Sequence, residues 1–188
     1  MTNASLKEWF TSNWSRAGLV TAIILLLLSP LFFMHLGVAF WVFFQLPIYM
    51  LHQYEEHSDG QFKLYINDMF GKPVLTDDRI LFINVVYVWL LFIACLYLAT
   101  FVHLGFGLIP VYLTGLNAVT HIAMAIKKRE YNPGLITSSI FCLPAAILSM
   151  IIIQAHNPLP IWQHVAAFAV VIAIHAEMII RIKLEARK

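Results

Sequence analysis

Residues 52–57 read His-Gln-Tyr-Glu-Glu-His. On a helix His52, Glu55 and Glu56 stand at i, i+3 and i+4, so their side chains share one face. Imidazole and carboxylate at that spacing commonly hold a metal ion on a helix. Asn117 and His121 repeat the i, i+4 spacing, and His175 and Glu177 follow near the C-terminus. His52, His121 and His175 would offer three nitrogens, with Glu55 or Glu56 an oxygen. That is the donor set of zinc, iron or manganese. The expected cofactor is therefore a divalent metal ion, zinc ahead of iron. Such an ion lowers the pKa of a bound water toward ~7, and Glu56, with Glu55 beside it, is placed to take the proton. Burial disfavours two bare adjacent carboxylates unless a cation compensates them. The chemistry expected is hydrolysis of an ester, amide or phosphate. Two other readings stay open. One is a di-iron oxidase, hydroxylase or desaturase, although dense histidine boxes and paired Glu-x-x-His motifs are lacking. The other is a proton or divalent-cation carrier, since intramembrane His and Glu also serve relays.

The elements that must position these groups follow from composition. Of 188 residues, 61% are apolar and only 12% are Asp, Glu, Lys or Arg. That charged share is about half the usual value and leaves too few polar residues to cover a soluble domain. Twelve basic against ten acidic residues make no cationic surface, so nucleic acid is not an expected partner. Disorder is excluded by the abundance of aromatic and branched residues. The apolar runs are helix-length and do not alternate, so the class is an all-α integral membrane protein with the bilayer as its partner.

Six transmembrane helices are expected, arranged as three hairpins in a single domain spanning residues 1–188. The spans run over about 15–33, 36–57, 79–101, 105–127, 133–154 and 160–183, with 58–78 a polar loop. Ala17 to Leu51 would be roughly 50 Å long as one helix, too long for one crossing, so it must break between Ser29-Pro30 and Gly37. With both termini in the cytoplasm, all twelve Lys and Arg fall on the inner side, from Lys7 to Lys188, as the positive-inside rule expects. The expected location is multi-pass in a plasma (inner) membrane. Trp9 and Trp14 suit an interface, and no cleavage site follows the first apolar run.

On this frame His52, His121 and His175 each lie six residues inside an expected inner boundary. That places them at one depth, roughly 9 Å in. Asn117, Asn84 and His57 are candidates to orient ligands or meet substrate, and Thr137, Ser138 and Ser139 lie at similar depth. Thr and Ser are also ordinary packing residues in membrane helices. His57 could simply mark the helix end, and Glu177 could pair with Arg181. His35, His103, His156 and His164 fall toward the outer side and read as interfacial. Cys95 and Cys142 are isolated and read as small buried hydrophobes.

His52-x-x-Glu55-Glu56 resembles the signature of the HXXEE-domain proteins, a family of small multi-spanning membrane proteins. Asn117 and His121 resemble the family's additional Asn and His. Tyr131-Asn132-Pro133-Gly134-Leu135, Leu143-Pro144 and Phe82-Ile83-Asn84-Val85 extend the likeness over roughly 35–155. The resemblance implies an enzyme without naming its reaction. The expectation is a membrane-embedded metal-dependent hydrolase acting on an amphipathic or lipid-like substrate near the inner leaflet. A homo-oligomer is possible on these grounds, as is a monomer.

Overall fold

The computed structural model describes residues 3–187, with side chains from Glu8 onward. Lys188 and the side chain of Lys7, both assigned above to the inner side, lie outside the described residues. Every regular element among the described residues is helical: α1 (Asn3–Leu27), α2 (Ser29–Leu36), α3 (Phe40–Phe43), α4 (Gln45–His57), α5 (Gln61–Phe70), α6 (Asp77–Ile83), α7 (Leu91–Phe101), α8 (Leu108–Lys128), α9 (Leu135–Thr137), α10 (Leu143–His156) and α11 (Ile161–Arg187). Short 3-10 turns link some of them. Two π-helical stretches, Asn84–Leu90 and Ser138–Cys142, join α6 to α7 and α9 to α10.

Five helical rods are long and apolar enough to cross a membrane: Glu8–Leu27, Asp77–Phe101, Leu104–Lys128, Leu135–His156 and Ile161–Arg187. The pair Ser29–Phe43 and Gln45–Phe70, bent by 48°, is a sixth candidate, either a broken span or a re-entrant loop. Several long apolar helices mark a multi-pass membrane protein. Its outside agrees, since Phe101 and Ile161 are each 77% exposed, a surface suited to acyl chains.

Three boundaries differ from expectation. The first helix starts at Asn3, because the polar stretch before Ala17 continues as helix beyond the apolar run. It ends at Leu27 rather than near 33. Pro30 then sits in the first turn of α2, where its missing N–H costs nothing. Gly37 closes α2 with a positive φ of 54°. Third, the 58–78 stretch is not a plain loop. Gly60 and Gly71, both left-handed, cap α5 at its two ends. Ile66 of α5 buries with Val74, Leu75, Ile80 and Trp14 in a small apolar cluster.

Ion pairs gather the basic residues of distant segments at one end of the bundle. Arg16 meets Asp59 at 3.2 Å, Lys63 meets Asp77 at 2.7 Å, and Arg79 approaches Glu185 at 3.9 Å. Each is worth about 0–1 kcal/mol at such exposed positions, so these pairs report topology more than stability. The apolar interior holds the rods in register: Tyr49, Phe92, Leu113 and Val171, from four different rods, share one cluster. The site lies between that cluster and the basic end.

Candidate metal centre

His52 and Glu56 stand one turn apart on α4, and His121 faces them from α8. All three are buried, at 0%, 7% and 3% exposure. The Glu56 carboxylate lies among imidazoles. Its Oε2 is 3.3 Å from His52 Nε2 and 3.2 Å from His57 Nε2, and its Oε1 is 3.4 Å from His121 Nε2. One donor atom each from His52, Glu56 and His121 lies within 4.8 Å of the others, so this buried group could hold a metal ion.

For neutral imidazoles, the hydrogen bonds behind the His52 and His121 rings favour a proton on Nδ1. Thr137 has one hydroxyl proton, and it goes to Glu55 Oε2 at 2.5 Å. Thr137 Oγ1 must then accept from His52 Nδ1–H, 3.0 Å away. His52 Nε2 is left as an acceptor, and its lone pair takes a hydrogen bond from Asn117 Nδ2 at 2.9 Å. His121 Nδ1–H donates to Asn132 Oδ1 at 2.7 Å, while Asn132 Nδ2 donates to the carbonyl of His121 at 3.0 Å. That pairing fixes the amide's direction, and His121 Nε2 is unprotonated as well.

His57 obeys a longer chain that starts from a pure donor. Trp89 Nε1–H donates to Gln53 Oε1 at 2.7 Å, and Gln53 Nε2 donates to Asn84 Oδ1 at 2.7 Å. Asn84 Nδ2 therefore donates, to the Ile80 carbonyl at 2.9 Å and to His57 Nε2 at 3.3 Å. The Nε2 atoms of three imidazoles thus lie 3.2–3.4 Å from one carboxylate, those of His52 and His57 also accepting from Asn117 and Asn84. An unprotonated His121 Nε2 facing the Glu56 carboxylate in a buried site is repelled unless a cation, metal ion or proton, sits between them.

The π-helices serve this arrangement directly. Asn84 opens the first and reaches His57. Ser138 opens the second, with Oγ 3.3 Å from His52 Nδ1. Such stretches re-aim side chains within an otherwise regular rod and recur at functional sites. The turn before α9 completes the wall. Gly134 has φ of 94°, and a Cβ there would fall 2.6 Å from His52 Cε1 and 3.0 Å from His121 Cε1. Only glycine supplies both the left-handed backbone and the close approach to the two rings. On the remaining side Phe62 of α5 covers the rings, with centroids 5.3 Å from His57 and 6.4 Å from His121.

Glu55 does not join His52, Glu56 and His121, which corrects its reading as a ligand and proton acceptor. Its carboxylate accepts from Tyr131 Oη at 2.9 Å, Ile136 N at 3.1 Å, Thr137 N at 2.7 Å and Thr137 Oγ1. Four donors leave it committed to pinning the 131–137 turn, and through Thr137 to holding the His52 ring. Burial and the bond to Glu55 push the Tyr131 hydroxyl up to about 12, so Tyr131 stays a donor near neutrality.

His175 is not brought in either. Its Nδ1 donates to the Val171 carbonyl of its own helix at 2.9 Å. Equal depth placed it at the right level but said nothing of direction. Glu177 pairs with Arg181 one turn on. Of the outer histidines, His35, His103 and His156 are exposed, while His164 joins a separate network with Tyr112 and Gln154. Asn117, Asn84 and His57 all reach the site. Asn132, Gly134, Gln53 and Trp89 were missed as site residues. The Asn-Pro-Gly turn was the available signal for the first two, since a turn sequence bounded by two spans must be placed by something.

A family model described as "Protein of unknown function with HXXEE motif" matches residues 41–149, more than half of the chain. The chain belongs to the HXXEE family. The matched stretch contains the motif, His121, the Asn132–Gly134 turn and both π-helices, so the whole buried cluster of this HXXEE protein lies inside it. No curated protein and no solved structure matches the chain.

Proposed function

We propose that this HXXEE protein is a membrane-embedded, metal-dependent hydrolase of an amphipathic or lipid-like substrate, working close to its basic end. The observation that carries the reading is the convergence of the Nε2 atoms of His52 and His121 on the Glu56 carboxylate, with Asn117 Nδ2 the donor an ion would displace from His52. Tetrahedral zinc bonds of ~2.0–2.1 Å set neighbouring donor atoms roughly 3.3 Å apart. His52 Nε2 lies 3.3 Å from Glu56 Oε2, matching that edge, while His121 Nε2 lies 3.4 Å from the other oxygen, Oε1, and one donor atom from each residue lies within 4.8 Å of the others. Two imidazoles and one carboxylate also leave a position free for water, as catalytic zinc sites do.

A divalent ion bound there supplies an acidified water and polarises the bond to be cut. The chain's own residues do the rest. Thr137 and Asn132 hold the two imidazoles with Nδ1 protonated. Glu56, touching three rings, takes and passes on a proton. His57, 3.2 Å from the same oxygen that His52 faces, is the next group along. Phe62 and the Asn132–Gly134 turn exclude bulk water, which strengthens each electrostatic contact.

Fewer donors are present than a di-iron centre uses, since Glu55 is occupied by four hydrogen bonds. By the positive-inside rule the basic end faces the cytoplasm, which puts the site at the inner leaflet. The test is turnover. Purified protein is incubated with a panel of ester- and phosphate-linked lipids before and after chelation. The reading expects hydrolysis that chelation abolishes and zinc restores. Hydrolysis indifferent to chelation, or oxidised products that appear only with iron and oxygen, would overturn it. So would cation flux into liposomes without any product.

A further inference from the structure

Beside the metal centre lies a polar cleft of about 380 Å³ between the start of α1 and the 58–80 stretch. His57 forms part of its wall, so the cleft and Glu56 are separated by one imidazole ring. Its other walls carry Thr11, Ser12, Asn13 and Ser15, and two opposite-charge pairs. Ser15 is a buried residue, only 6% exposed. The pairs are Arg16 with Asp59 and Lys63 with Asp77.

We propose that this cleft receives a zwitterionic aminoalkyl phosphate. The argument is charge balance. A simple anion drawn to Arg16 and Lys63 meets Asp59 and Asp77 beside them, and a simple cation meets the reverse. A phosphate and an ammonium joined by a short arm satisfy both signs at once. Exchanging partners is cheap, because pairs this exposed contribute little in water. The Arg16 guanidinium suits a phosphate through two parallel N–H bonds, and the Ser12 and Ser15 hydroxyls can donate to its remaining oxygens. The same chemistry occurs as a phospholipid headgroup and as a free compound. The cleft's role as the substrate's headgroup pocket rests on the hydrolase reading, whereas its binding chemistry does not.

Native mass spectrometry of the full chain in detergent tests it. The probes are dihexanoylphosphatidylethanolamine, dihexanoylphosphatidylglycerol, which lacks the ammonium, and free phosphoethanolamine. One saturable ethanolamine lipid per chain is expected. Binding should be about tenfold weaker for the glycerol lipid, for Arg16→Gln and for Asp77→Asn. Competition by free phosphoethanolamine shows that the headgroup alone suffices, and binding of the lipid alone assigns the cleft to membrane lipid. Both results support the proposal. Equal binding of the two lipids, or wild-type binding by both variants, overturns it. His52→Ala separates the two ideas: it should keep the lipid and lose the metal. A wild type that binds metal but no ethanolamine compound ends this proposal alone, and one that binds the lipid but no metal ends the metal reading alone.

Discussion

Two histidine networks, one half-buried and one buried, sit toward opposite ends of this bundle, and they do different things with the same ring. Away from the basic end, His164 Nε2–H donates to Gln154 Oε1 at 3.3 Å, and Nδ1 accepts from Tyr112 Oη at 2.9 Å. Gln154 in turn ties down the Asn157–Pro160 turn through both the N–H and the carbonyl of Leu159. Every lone pair and proton there has a neutral partner, and the product is a closed turn. At the other site His52 and His121 spend their Nδ1 protons on Thr137 and Asn132 behind them and turn Nε2 toward Glu56. The difference is the carboxylate, together with the residues that fix the tautomers. A histidine in a membrane helix is therefore informative only once the partner of its other nitrogen is known.

The comparison breaks most severely at Glu56. Glu56→Gln should lower turnover by at least about 10²–10⁴-fold, the span expected from loss of a positioned proton acceptor alone, and further as the metal is lost with it. It should also strip metal while the melting temperature changes little, and rate assays with elemental analysis check both. Next come the ring donors. His52→Ala and His121→Ala should each leave metal at below about a tenth of the wild-type occupancy, since ligand loss removes the binding free energy itself.

The supporting hydrogen bonds give the sharper test. Thr137→Val disconnects Glu55 from His52, and metal affinity should fall about 10–100-fold, with Thr137→Ser largely restoring it. A competitive chelator titration reads this. If Glu55 were itself a ligand, Glu55→Gln would match Glu56→Gln and Thr137→Val would be nearly silent. Last and smallest, His164→Ala should cost about 1 kcal/mol of stability in a denaturation series and leave metal content unchanged. His175→Ala should be silent for metal as well. A metal defect in either would erase the distinction between the two networks.

The helical rods were legible because apolar length alone decides whether a segment crosses a bilayer. α5 was not, because its apolar positions are diluted by Gln61, Lys63, Asn67 and Asp68, and its ends depend on the backbone of Gly60 and Gly71. Within the site, His52, Glu56 and His121 could be read from spacing and depth, since two helices packed side by side bring equal depths together. Spacing could not divide Glu55 from Glu56. Both lie on one face of α4, and only the fold shows that the 131–137 turn wraps over Glu55 while three rings enclose Glu56. Depth also favoured His175, but direction around α11 is a tertiary property. The π-helices that deliver Asn84 and Ser138 have no periodicity of their own to betray them.

The central claim is that His52, Glu56 and His121 share one cation. Metal titration of chelator-stripped wild type, beside a His52→Ala/His121→Ala double variant, tests it most directly. The account predicts one divalent ion per wild-type chain and none held tightly by the variant. Equal uptake by the two proteins, or no uptake by the wild type, would contradict it.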